Sequence, residues 1–103
     1  MGTITVYEFG QTGVPNARGL GVADLSSQTA RTQDATTSTT AESIALNGGT
    51  SAIIITAAEA HRVSIVDSTC ATTYILLRDN GAGAYVGDFG TKGGKTLYYR
   101  LDA

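Results

Sequence analysis

The chain is predicted to be all-β: an antiparallel β-sandwich or small barrel of about six or seven short strands, with an extended N-terminal arm. Three observations carry this. Short runs rich in β-branched and aromatic residues recur between Gly- and Asn-containing turns, at the spacing of small β-domains. No helix-length apolar period alternates with them, which disfavours a parallel sheet wound with helices. Its 103 residues, 42% of them hydrophobic, suit one domain that buries its own core without staples. Charged residues make up only 16%, with Thr, Ser, Ala and Gly in their place. The resulting surface is neutral and hydroxyl-rich, as expected of a protein that lives packed against other proteins.

In chain order, Thr3 to Phe9 ("TITVYEF") is the first strand. "GQTGVPNARGLG" follows, from Gly10 to Gly21, with Gly10, Gly13, Gly19, Gly21 and the only proline, Pro15. Gly frees φ and Pro fixes it, so this is an irregular arm. The predicted division is therefore residues 1–21 as strand and arm, and 22–103 as the sandwich domain. Asp24 as an N-cap allows a short helix to Arg31. Asp34 to Thr40 is Thr/Ser-rich and extended, either an interface strand or a linker. Glu42 to Leu46 puts Ile44 and Leu46 on one face, and Asn47-Gly48-Gly49 turns the chain. Ser51 to Thr56 is apolar on both faces and reads as a central strand. His61 to Asp67 alternates, with Val63 and Ile65 together. Thr73 to Arg78 is another apolar strand, Asp79-Asn80-Gly81 is a hairpin turn, and Tyr85 to Phe89 is the strand after it. Thr96 to Leu101 closes the set, with Leu97, Tyr99 and Leu101 facing the core and Tyr98 and Arg100 facing a neighbour.

Several function classes lose their footing here. Net charge is −2, and the seven basic residues are spread out apart from Lys92 and Lys95. Nucleic-acid binding needs clustered cations to displace counterions, so none is expected. No stretch approaches the apolar length of a membrane helix and the N-terminus has no signal core, so no membrane is expected and synthesis in a cytosol without processing is. The single cysteine, Cys70, allows no intrachain disulfide and reads as a small, partly buried residue.

Gly94-Lys95-Thr96 resembles the end of a phosphate-binding loop. The required first glycine would sit at 89, where Phe89 stands, and a strand follows where a helix is required. A Gly-rich turn is the better reading. His61, Ser64 or Ser68, and Asp67 make a triad on paper, but neighbours on one strand point to alternate faces. A strand-start histidine near the surface is preferred. Asp79, Asn80 and Asp88 have no recognised calcium-loop spacing, and one His with one Cys is no zinc site. No catalytic residue, cofactor or metal is expected. The five tyrosines offer an aromatic platform for sugar, or interface contacts, with the interface favoured.

The stretch from Thr36 to Leu46, the "RVSI" of Arg62 to Ile65, and "GGKTLYYRL" from Gly93 to Leu101 form a cadence: Thr/Ser-rich lead, short strand, Gly-containing turn into a "YYR" strand. It covers about two thirds of the chain and resembles the small β-sandwich structural proteins of tailed bacteriophages, such as head decoration and cement proteins. The resemblance implies a virion protein on the outer surface of the capsid. It would bind the major capsid protein, as a homo-oligomer (trimer or dimer), and stabilise the head by multivalent bridging. A carbohydrate- or host-receptor-binding module of a head or tail fibre, or another tail or neck structural protein, is the alternative. Interface candidates are Tyr7, Phe9, Pro15, Arg18, Lys92, Lys95, Tyr98 and Arg100. The first strand is expected to be exposed and free to extend a neighbour's sheet. Removing residues 1–21 is expected to weaken assembly more than the fold.

Overall fold

A computed structural model describes residues 2–10, 28–91 and 94–102, and among them every element is a strand. The strands are β1 (Gly2–Phe9), β2 (Gln28–Thr37), β3 (Glu42–Ala45), β4 (Ala52–Ala57), β5 (His61–Ser64), β6 (Ile75–Leu76), β7 (Arg78–Asp79), β8 (Tyr85–Gly90) and β9 (Thr96–Leu101). They form two sheets, a five-stranded one in the order β2-β1-β4-β8-β7 and a four-stranded one in the order β3-β9-β5-β6. Every ladder is antiparallel. The fold is therefore the predicted all-β antiparallel sandwich.

Alternation along the strands builds the core. Ile4 and Val6 from β1, and Ile53 and Ile55 from β4, meet Val63 from β5 and Leu97 and Tyr99 from β9. Leu46 and Leu77 close the ends, and Phe89, Tyr85, Ile65 and Ile44 pack around them. Each of the fully buried branched side chains contributes roughly 1.5–3 kcal/mol by leaving water. Gly87 faces inward on β8 because there is no room for more. A Cβ there would lie 2.4 Å from the Phe89 ring and 2.8 Å from Leu77.

The two sheets are also joined by polar groups. His61 of β5 is completely buried, and its Nε2 lies 2.7 Å from Thr37 Oγ1 of β2, in the other sheet. Its Nδ1 is 2.9 Å from the Glu59 carbonyl. A carbonyl only accepts, so Nδ1 donates to it, while Nε2 shares a hydrogen bond with the Thr37 hydroxyl. The expectation of a histidine near the surface is thus corrected: satisfying both ring nitrogens lets the imidazole go inside. Glu8 is buried likewise, its Oε1 accepting from Asn47 N (2.8 Å) and Thr50 Oγ1 (2.7 Å), which fixes the turn between β3 and β4.

Four other expectations change. Residues 28–31 of the expected helix lie in β2, where pairing with β1 overrides a weak local preference; residues 24–27 lie outside the described set. The fifth strand stops at Ser64, not Asp67, because Ser64 Oγ accepts the amides of Val66 (3.1 Å) and Asp67 (2.9 Å) and turns the chain. Thr73 to Arg78 is not one strand. Ile75 and Leu76 pair with β5 in one sheet, Arg78 and Asp79 pair with β8 in the other, and buried Leu77 passes between. Finally, β1 is not a detached or exposed strand. It is hydrogen-bonded to β2 on one side and β4 on the other, so neither of its edges is open and it belongs to the sandwich.

Candidate interaction surface

The outer face of the four-stranded sheet carries the densest set of the expected contact residues. On β9, Leu97 and Tyr99 are buried while Thr96, Tyr98 and Arg100 alternate outward, half-buried. The register places Arg100 beside Arg62 of β5, and Tyr98 between Ser43 of β3 and Ser64 of β5. Two arginines directly opposite repel one another. Asp102 relieves this: its Oδ1 accepts Arg62 Nε at 2.7 Å. Arg62 also donates to the Cys70 carbonyl at 3.3 Å and lies 4.4 Å from the centroid of the Tyr74 ring. The Asp102 hydrogen bond raises the Arg62 pKa, and the guanidinium's Nε and Nη1 both have partners. Arg100 Nε donates to the carbonyl of Leu101 at 3.2 Å, and its half-buried guanidinium forms no ion pair among the described residues.

The other expected contact residues scatter. Tyr7 is half-buried on the outer face of the five-stranded sheet, opposite Ile54. Phe9 is only 3% exposed and is corrected from contact residue to buried residue. Lys95 is exposed, and its carbonyl accepts from Leu46 N. Pro15, Arg18 and Lys92 lie outside the described residues. The turn before β9 holds Gly94 at φ +78°, a left-handed conformation, with its amide on the Asn47 carbonyl. Gly94-Lys95-Thr96 therefore enters a strand, with no helix N-terminus to receive a phosphate.

The residues of the paper triad are committed elsewhere. His61 bridges the sheets, Ser64 turns the chain, and Asp67 organises a loop. Asp67 Oδ2 accepts the amides of Ala71, Thr72 and Thr73, and Oδ1 accepts the amide and hydroxyl of Thr69. These donors, led by the Thr73 and Thr72 amides, hold its carboxyl far below the usual range. Cys70, at the centre of that loop, has φ +50° and is completely buried rather than partly so. Burial, with the nearby Asp67 charge, pushes its thiol pKa up, the opposite of an activated cysteine. No group of three or more metal-ligating side chains occurs among the described residues.

Sequence reasoning missed a second feature, the apolar side of the sandwich around β6. Ile75 (55% exposed), Leu76 and Val66 stand out from the surface there. Beside them a cleft of about 250 Å³ opens between the sheets, lined by Ile53, Val63, Ile65, Tyr74, Phe89 and Leu97 among others. The only signal in the sequence was the apolar run "YILL", which read as an ordinary strand.

Compared with known proteins, the chain matches no family model, no curated protein and no solved structure.

Proposed function

We propose that the protein is a structural virion component, a decoration or cement protein that binds the outer surface of a major capsid protein lattice as a homo-oligomer. The observation that supports this best concerns where the resembling stretches fall. They contribute β3, β9 and β5, which are three neighbouring strands of one sheet. The outer face of that sheet presents Tyr98 and Arg100, residue types that anchor protein interfaces. Low charge and a hydroxyl-rich surface suit close packing against a lattice whose many copies add weak contacts into a strong one.

Purified protein mixed with undecorated capsids, then imaged by electron microscopy, tests the reading. Ordered density on the outer surface at saturation is expected; a bare lattice refutes it. In the same assay Tyr98→Ala and Arg100→Ala each weaken capsid binding about tenfold. Arg100→Ala leaves the melting temperature unchanged or slightly raised, because it removes the repulsion with Arg62.

A further inference from the structure

The chain leaves one sheet for the other at Leu77, and among the described residues this leaves part of β8 unpaired. β8 pairs with β4 over all six of its residues, but β7 covers only Tyr85 and Val86. Among the described strands, none pairs with Gly87 to Gly90 on that side. The direction of the backbone groups follows from parity. Thr91 N donates to Ser51 O, toward β4, so Phe89 and Gly87 point that way too. Asn80 N donates to Ala84 O across the hairpin, so Ala84, Val86, Asp88 and Gly90 point to the other side. Asp88 and Gly90 are both exposed. They present two sets of donor and acceptor about 7 Å apart, the repeat of a strand.

Apolar surface flanks this open ladder on both sides. Phe89, Gly90 and Ile75 line the cleft between the sheets. Val86, Gly87, Asp88, Ile54, Leu76 and Arg78 line a groove on the far side of Phe89 and Ile75. The polar repeat calls for a polypeptide backbone rather than a small apolar molecule. The cleft takes one bulky apolar side chain. Arg78 and Asp88, one cation and one anion, favour a segment without net charge.

Twofold antiparallel pairing of a second copy through β7 would set like charges opposite, Asp79 on the partner's Asp79 or Arg78 on the partner's Arg78, and pairing through β8 centred on Asp88 would do the same. We propose that this open side of the sandwich is a docking groove for an extended, uncharged segment of a partner protein. The segment adds as a short strand to β8 at Asp88 and Gly90 and lodges one bulky apolar side chain in the cleft beside Ile75. This goes beyond the capsid reading, since the groove defines the segment whichever protein carries it.

Blocked pentapeptides Thr-Thr-X-Thr-Thr, with X as Leu, Phe or Gly, are the probe, and amide hydrogen exchange by NMR is the readout. At about 1 mM, a concentration that detects even weak docking, the Leu or Phe peptide slows exchange at Asp88 and Gly90 about tenfold or more. The Gly peptide does not. Gly90→Pro removes the outward donor without touching the β4 ladder, and it abolishes the protection. N-methylation of X and of the threonines on either side of it does the same and needs no protein variant. Equal protection by the Gly peptide, protection that survives both changes, or none with any peptide overturns the proposal. So does concentration-dependent dimerisation in sedimentation that Ile75→Lys prevents, which assigns the groove to a second copy. Peptide binding with bare capsids would sink the capsid role alone.

Discussion

At the residue scale, His61 and Asp67 show how polar side chains become structural. Each nitrogen of buried His61 has a partner, so deleting one partner leaves a buried nitrogen unsatisfied. Thr37→Val leaves Nε2 unpaired at full burial and is expected to cost about 1–3 kcal/mol in urea unfolding. Asp67 acts through its ionised form. Its folded pKa lies below the unfolded one, so its contribution is complete above the ordinary aspartate range. That contribution shrinks as pH falls below the range toward the depressed folded value. Stability below about pH 4 should therefore fall less steeply in Asp67→Asn than in the wild type. In the same variant the Thr72 and Thr73 amides exchange faster at neutral pH, measurable by NMR. None of this was legible in the sequence. A buried histidine and a surface one look alike until a second strand brings the hydroxyl, and the Asp67 loop is recognisable only once its amides converge.

At the scale of elements, legibility tracks how much of a strand's fate is local. β4 and β9 carry their pattern in their own residues: Ile53 and Ile55 against Ile54, Leu97 and Tyr99 against Tyr98. β2 has almost no apolar alternation and is a strand because β1 offers it a ladder. The break at Leu77 depends on two sheets competing for one run, which no local period encodes. The two glycines that shape this region should respond differently from ordinary surface positions. Gly87→Ala forces the Phe89 ring and Leu77 apart and is expected to cost about 1–3 kcal/mol. Gly94→Ala, with open space but a left-handed backbone, should cost about 1 kcal/mol. Thermal melts of the two variants separate crowding from backbone strain.

At the scale of the molecule, the predicted sandwich is right, the first strand is an interior strand of it rather than an exposed one, and residues 11–21 of the predicted arm lie outside the described residues. "TITVYEF" was correctly a strand, but a strand's neighbours are set by tertiary pairing, and β1 has two. Deleting residues 2–9 is now expected to abolish the cooperative thermal transition, and not only to weaken assembly; circular dichroism with a melt decides this. The contact face was half legible. Parity alone put Tyr98 and Arg100 outward on β9, whereas Phe9 and the side at Ile75 depend on what the rest of the chain covers or leaves bare. One arrangement bears on biosynthesis. β3 and β5 share no ladder: β9 lies between them and joins β3 to the β5-β6 pair. A nascent chain therefore cannot close that layer until residues 96–101 have left the ribosome, and until then Ile44 awaits its partner strand while β5 has only β6. Closure of half of the sandwich therefore comes last in chain order, after every other described strand has been made.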